Sequence, residues 1–148
     1  MKKNLTKLQA YNVIITFLDQ YYRENKSDNL SDFITYAYFW FDKKTADPAA
    51  WPEWLEALEK MALQNKKIRN VNRLTYVQAC NAMVIFFTDY CGLYVIIPLD
   101  IVKILHVLEE LQLNKQRSIM WPAWIDAIEK IIAQEDPRFY VQSINISN

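Results

Sequence analysis

Residues 51–64 read WPEWLEALEKMALQ, and residues 121–134 read WPAWIDAIEKIIAQ. Seven of these fourteen positions are identical, and most of the others exchange one apolar residue for another, such as Leu55 for Ile125. Chance does not account for so much identity in so short a segment. The repetition indicates that the chain builds the same structural unit twice, with equivalent positions 70 residues apart.

A second pair of matching segments precedes the first pair. Residues 5–22 (LTKLQAYNVIITFLDQYY) and residues 74–91 (LTYVQACNAMVIFFTDYC) share seven of eighteen positions. Each begins with Thr-x-x-Gln, in which the threonine can cap a helix while the glutamine reaches back to the cap's own N–H group. Thr6 with Gln9, and Thr75 with Gln78, therefore predict two helix starts.

The spacing of apolar residues predicts two helices after each of these starts. The first helix of the first half carries an apolar stripe at Ala10, Val13, Ile14, Phe17 and Tyr21. Second helices are predicted over residues 30–41 and 99–113, where apolar residues again recur at helical spacing. Gly92 is the only glycine of the chain, and it is expected at the C′ position that ends the first helix of the second half.

The repeated Trp segments form the third helix of each half. Asp47 or Ser118 can begin the turn into this helix, and Pro52 and Pro122 fall in its first turn, where proline is tolerated. The prediction is an all-α protein of about six helices, in two tandem, internally duplicated three-helix units packed into one compact helical domain. The predicted boundaries are a first unit at 1–65, a basic connector at 66–73, a second unit at 74–134 and a C-terminal tail at 135–148.

The composition places the chain among globular domains. It has 148 residues, and a chain of this length buries about 70% of its unfolded surface, which is enough for a core without disulfides. No apolar run approaches the roughly 18 residues of a spanning helix, and the N-terminus lacks a signal-peptide pattern, so we expect a cytoplasmic protein. Cys80 and Cys91 would lie about 16 Å apart on one helix and are expected to be reduced.

Charge is unevenly distributed although the formal net charge is zero. Residues 19–59 contain nine acidic and four basic residues, a local balance of −5. Basic residues collect at the N-terminus and in the connector, KKIRNVNR at 66–73. An acidic region of this kind favours a basic partner over nucleic acid.

The two halves differ most around their second helices. Residues 23–42 (RENKSDNLSDFITYAYFWFD) are acidic and aromatic, whereas residues 92–111 (GLYVIIPLDIVKILHVLEEL) are aliphatic. On a helical wheel, Phe33, Ile34, Ala37 and Phe41 share one face, and Asp32, Tyr36 and Phe39 lie on the other with Trp40 at its edge. Either the other half covers this second face or a partner binds it. Residues 93–98 (LYVIIP) are the one candidate strand, and we expect the interface between the halves to cover them.

No constellation of residues indicates catalysis. The single histidine, His106, falls on the polar side of its helix, and neither metal-ligand spacing nor a glycine-rich phosphate loop is present. Glu53, Glu56 and Glu59 follow the pattern of a solvated helix face. We therefore expect no catalytic residues, no metal and no cofactor, and a binding protein rather than an enzyme.

Several motifs together resemble a family of small bacterial immunity proteins. These are Leu-Thr-x-x-Gln-Ala-x-Asn at residues 5–12, Tyr21-Tyr22, Ser27-Asp28 and TADPAAWPEW at residues 45–54. They are similar to the CdiI-type proteins of contact-dependent growth inhibition and related polymorphic toxin systems, most clearly over residues 5–60. The resemblance implies a non-enzymatic inhibitor in the producer's cytoplasm that binds the toxin domain of a sibling's effector.

Such toxins are often nucleases with basic clefts, so the resemblance implies that an acidic surface covers the cleft, with an RNase expected before a DNase. The family supplies no fixed binding residues, and a net charge of zero departs from the strongly acidic nuclease inhibitors. We expect a monomer or a heterodimer with the toxin, bound to neither nucleic acid nor membrane. The predicted toxin-binding residues are Asp28, Asp32, Tyr36, Phe39, Trp40, Asp42 and Asp47.

Two other functions compete with this one. A duplicated helical unit is also suited to a non-catalytic adaptor or scaffold that holds a host protein or peptide between its helices. The basic connector and the lysines at the N-terminus could contact RNA, although basic residues without an RNA-binding motif are more typical of a solvated linker.

Overall fold

A computed structural model of the chain describes residues 4–38, 45–65 and 71–134. These residues form six α-helices, one 3₁₀ helix and no strand, so the predicted all-α class is confirmed. The helices are α1 (Lys7–Asn25), α2 (Asp28–Ala37), α3 (Ala50–Gln64), α4 (Tyr76–Cys91), α5 (Leu99–Asn114) and α6 (Trp121–Gln134), with the 3₁₀ helix at Lys115–Arg117.

Both predicted capping boxes are present. The Oγ1 atom of Thr6 accepts from the Gln9 N–H at 3.0 Å, and the Gln9 Oε1 atom accepts from the Thr6 N–H at 2.8 Å. Thr75 and Gln78 make the same two bonds at 3.1 and 2.9 Å. The shared Thr-x-x-Gln motif thus satisfies two helix-terminal donors at the start of α1 and again at the start of α4.

The turns into the third helices also follow the prediction. Asp47 Oδ1 accepts from the Ala49 N–H at 2.9 Å, and Ser118 Oγ accepts from the Met120 N–H at 3.0 Å. Each short side chain therefore orders the turn that leads into α3 or α6.

The third helix of each half packs mainly against the first helix of the other half, α3 on α4 and α6 on α1. Trp54 lies 5.6 Å from Phe86 between ring centroids, and Trp124 lies 5.5 Å from Phe17. Each indole N–H nevertheless donates to a carbonyl of the first helix in its own half, to Lys7 at 3.2 Å and to Tyr76 at 3.1 Å. The matching tryptophans thus make reciprocal contacts that join the two halves into one core.

Leu5 and Leu74 pair directly at the centre of this arrangement. Each backbone N–H donates to the other residue's carbonyl, at 2.7 and 2.8 Å, in an isolated antiparallel bridge. Both leucines are buried, so the chain segments that lead into the two capping motifs meet inside the protein.

One predicted helix end is wrong. The second helix of the first half is predicted to reach Phe41 but ends at Ala37, because Tyr38 has a non-helical ψ of 133° and the Tyr36 and Tyr38 carbonyls accept from the Asp47 and Ala46 N–H groups. The buried Tyr11 hydroxyl donates to the Ala37 carbonyl and satisfies this helix end. Gly92 directly follows the last residue of α4, as predicted, and its φ of −63° is right-handed, unlike the left-handed conformation that glycine often adopts at helix ends.

The basic connector, apart from residues 71–73, and the C-terminal tail lie outside the described residues. Within the part of the chain that is described, none of the helices combines the length and apolarity needed to span a membrane.

Candidate functional site

Three of the predicted binding residues form a stripe along α2. Asp28, Asp32 and Tyr36 are four residues apart, and this spacing places them one above the other on the same helix face. Ser27 caps the helix by accepting from the Leu30 N–H at 3.2 Å, so the position of Asp28 in the first turn is fixed. Asp28 and Asp32 are exposed and Tyr36 is half-buried.

Asp47 joins the same face from the segment that leads into α3. Its backbone N–H donates to the Tyr36 carbonyl at 3.2 Å, and its side chain is exposed. The structure therefore brings Asp28, Asp32, Tyr36 and Asp47 together, and we call these four residues the α2 face. Phe39, Trp40 and Asp42 of the predicted set lie outside the described residues.

Tyr36 links the α2 face to α3 and α4. Its hydroxyl donates to Glu53 Oε2 at 2.5 Å, and its ring lies 4.9 Å from that of Tyr90 between centroids. Burial, followed by the hydrogen bond to the Glu53 carboxylate, raises the pKa of Tyr36. The phenol is thus held neutral as a hydrogen-bond donor, and part of its ring is covered by the protein itself.

The opposite face of α2 is core, as the helical wheel predicted. Phe33 is fully buried and its ring centroid lies 4.9 Å from Phe87 and 4.8 Å from Tyr90. Because α2 is held on α4 in this way, its acidic side is directed away from the core.

The prediction that residues 93–98 are covered by the interface between the halves is wrong. Val95 and Ile96 are 101% and 84% exposed, and their neighbours Leu93, Ile97 and Leu99 are exposed as well. The halves meet through α1 with α6 and through α3 with α4, and this packing does not include the segment that joins α4 to α5. We call residues 93–99 the aliphatic loop.

The far end of the aliphatic loop is fixed to the start of α2. Asp100 accepts hydrogen bonds from Ser27 Oγ at 2.7 Å and from Asn29 Nδ2 at 2.9 Å. Burial opposes ionisation of the Asp100 carboxyl, but these hydrogen bonds outweigh it and lower its pKa. The carboxylate thereby joins the second helices of the two halves.

The near end of the loop is fixed to the middle of α2 through two tyrosines. The Tyr90 ring contacts Phe33 and Tyr36, and Tyr94 packs edge-on against Tyr90 at 6.5 Å between centroids. Burial raises the pKa of Tyr94, and the nearby thiol of Cys91 and the carboxylates of Asp32 and Asp100 raise it further. The aliphatic loop and the α2 face are therefore one continuous surface.

Sequence reasoning missed three members of this surface: Glu53, Tyr90 and Tyr94. Glu53 was assigned to a solvated helix face, yet it is half-buried and accepts from Tyr36. The four-residue spacing of Tyr90 and Tyr94 was a signal that could have placed both tyrosines on the same side of the C-terminal end of α4. Their contact with α2 could not have been read from that spacing.

The metal-binding potential and the thiols of the described residues can be stated from the structure. They contain no group of three or more His, Cys, Asp or Glu side chains that could hold a metal ion. Burial raises the pKa of Cys80 to about 12 and that of Cys91 to about 11, so both free thiols are held protonated at neutral pH. His106 is exposed on α5, on the polar side that its sequence position predicted.

Among the shallow grooves beside the helices, two are lined by residues of α1 or α2. One, of about 210 Å³, runs between α1 and α6 and is lined in part by Gln20, Glu24 and Lys130. The other, of about 330 Å³, lies at the start of α2, where Lys26 and Lys103 share the lining with Asp28.

Comparison with known proteins adds no relative: no protein-family model matches the chain, and neither curated proteins nor solved structures show a significant similarity to it.

Proposed function

We propose that this chain is an immunity protein that binds and neutralises a cognate toxin domain, and that the α2 face contacts the toxin. The observation that carries the proposal is the grouping of exposed carboxylates beside partly covered aromatic rings. Asp28, Asp32 and Asp47 form no ion pair with any described lysine or arginine. Within the described residues, no paired cation neutralises these three carboxylates.

The two components of the face have different roles in the proposed complex. Exposed acids increase the rate of encounter with a basic cleft, and their effect falls as salt is added. Tyrosine and tryptophan side chains provide the buried contacts that slow dissociation. In this proposal Tyr36 belongs to the second group, together with Phe39 and Trp40, whose positions the structure does not describe.

A nuclease is the toxin class that this face suits best, because a substrate cleft for nucleic acid must be basic. As in the family that the sequence resembles, we propose an RNase before a DNase. An acidic face that covers the cleft would exclude substrate without any chemistry in the inhibitor. The proposed protein is thus a non-enzymatic inhibitor that acts in the cytoplasm of the producing cell.

The first test concerns the gene directly upstream, which should encode a large toxin if this chain is its immunity protein. The C-terminal domain of that upstream protein serves as the probe in a surface-binding assay. We expect the wild-type chain to bind it, to inhibit its activity and to protect cells that express it. Failure to bind would overturn the immunity proposal.

A matched pair of charge reversals tests the α2 face. We expect D28K/D32K to slow association with the upstream toxin domain by about tenfold at low salt, and by less at high salt. E109K/E129K alters the net charge by the same amount at exposed positions of α5 and α6. It should leave the association rate within about twofold of the wild-type rate. Equal slowing in both pairs would mean that net charge, rather than the α2 face, steers binding. Asp47 is left intact because its side chain also orders the turn into α3.

The adaptor alternative requires a groove that accepts a helix or peptide. The groove between α1 and α6 carries charged side chains at Glu24, Asp126 and Lys130. Polar and apolar side chains contribute to its lining in similar measure, whereas grooves that bind helices are predominantly apolar. These features favour the immunity proposal over an adaptor.

A further inference from the structure

The aliphatic loop is the largest run of exposed apolar side chains in the described part of the chain. Four of its members, Leu93, Val95, Ile96 and Leu99, are at least 70% exposed. Single exposed apolar residues are ordinary, but a contiguous cluster is typical of a surface that another molecule covers.

The loop is held in place at both ends. Tyr94 packs on Tyr90, which contacts the α2 residues Phe33 and Tyr36. Asp100 is bonded to Ser27 and Asn29 at the start of α2. Because the ends are anchored, the loop loses less conformational freedom on binding than a free segment would lose.

The charges beside the loop indicate what can cover it. Besides burial, the nearby carboxylates of Asp32 and Asp100 raise the pKa of Tyr94 at the base of the loop. Those of Asp32 and Asp47 likewise add to the effect of burial on the pKa of Tyr90. These carboxylates would repel an anionic membrane surface. A second copy of the chain docked through the same patch would bring the acids of both copies together, which is also unfavourable.

We propose that the aliphatic loop is the apolar anchor of a protein interface, and that its partner presents an apolar pocket bordered by basic side chains. The inference deepens the proposed function, on which it rests, by adding a second element to the toxin-binding surface. The acids of the α2 face steer the basic border of the toxin domain into place, and Val95 and Ile96 enter its apolar pocket. An interface of this kind has a desolvated apolar centre and a charged rim.

The test uses the upstream toxin domain as probe and measures association and dissociation rates separately. V95S/I96S replaces two of the most exposed side chains of the loop, so the fold should be unaffected. We expect the dissociation rate to rise on the order of tenfold or more, with little change in the association rate. L113S/I119S is the matched control, since Leu113 and Ile119 are 80% and 87% exposed elsewhere on the surface, and it should leave both rates unchanged.

Each other outcome overturns the inference in a distinct way. If the wild-type chain binds the toxin domain and V95S/I96S dissociates at the wild-type rate, the loop is no anchor, while the immunity proposal stands. If the wild-type chain fails to bind the toxin domain at all, both proposals fail. Concentration-dependent dimers that V95S/I96S abolishes would assign the loop to a second copy. Sedimentation with phosphatidylglycerol vesicles that V95S/I96S abolishes would assign it to lipid.

Discussion

Trp54 and Trp124 occupy matching places in the two halves, whereas the segments that lead into the second helices do not. Each tryptophan donates to a carbonyl at the start of its own half's first helix and packs on a phenylalanine of the other half. The start of α2 is acidic and capped by Ser27, but α5 is preceded by an exposed aliphatic loop. The shared tryptophans thus serve the core, whereas the segments in which the halves differ most lie at the surface.

This difference explains why a motif can be repeated without indicating a binding site. A contact between two halves requires complementary residues from both, so the shared tryptophan and phenylalanine are used twice. A surface for one partner is needed once, and its residues are free to differ. The candidate site accordingly combines α2 of the first half with the loop of the second.

The most severe test of this comparison removes the repeated tryptophans. Trp54 and Trp124 are both fully buried, so we expect W54A and W124A each to lower the free energy of unfolding by about 3–5 kcal/mol, measured by urea denaturation. Trp51 and Trp121 are half-buried, and W51A and W121A should cost clearly less. If either alanine variant does not fold, W54F and W124F provide the same comparison at lower cost.

The comparison would break if Trp54 and Trp124 differed widely. Suppose that one alanine variant lost less than about 1 kcal/mol of its free energy of unfolding and the other lost about 3–5 kcal/mol. The matching contacts would then not have matching energies.

A second test concerns a contact that one half makes and the other cannot. Tyr11 corresponds to Cys80, and the Tyr11 hydroxyl donates to the Ala37 carbonyl at the end of α2. Y11F leaves that buried carbonyl without this donor, and we expect a loss of about 1–2 kcal/mol in the free energy of unfolding. Y22F, at a half-buried tyrosine on the same helix, is the control and should have little effect.

If Y11F were neutral, another donor would have to satisfy the end of α2. In that case the Tyr11 hydroxyl would not stabilise the end of α2.

Substitutions in the capping boxes test the shared positions through a smaller expected loss of stability. T6A and T75A each remove an N-cap bond, and each should lower the free energy of unfolding by about 1 kcal/mol. T6S and T75S retain the hydroxyl and should restore most of that stability. Unequal costs would indicate that the two helix starts contribute differently despite their equal geometry.

Much of the fold was accessible from the sequence because it depends on short-range rules. The Thr-x-x-Gln caps, the turns at Asp47 and Ser118 and the apolar spacing of the six helices all act within a few residues, and the structure shows each of them. The pairing of α3 with α4 and of α6 with α1 depends on tertiary packing. Apolar periodicity shows that a helix has a buried face but not which helix covers it.

The candidate site was only partly accessible for the same reason. Asp32 and Tyr36 share a face by helical spacing alone, whereas Asp28 joins their stripe because α2 begins two residues before the predicted start. The role of Glu53 and the exposure of the aliphatic loop depend on where the halves meet. A run such as LYVIIP has the composition of a buried segment, and hydrophobicity alone could not predict that it would remain outside the core.

The smallest expected effect concerns Asp100, where the differing segments of the two halves are joined. Its pKa is lowered in the folded protein, so its ionised form contributes stability above the unfolded pKa of about 4, and that contribution is lost as pH falls through the lower folded value. D100N should therefore reduce the free energy of unfolding by less than about 1 kcal/mol at pH 7, since the site is near solvent. The difference between D100N and wild type should shrink as the pH is lowered from 5 to 2.5, measured by urea denaturation at each pH. E129Q, at an exposed acid of α6, should show no such trend. If D100N instead lowered the free energy of unfolding by the same amount at every pH, the amide would be losing packing or geometry rather than charge. The ionised carboxylate would then not be what holds the aliphatic loop against α2.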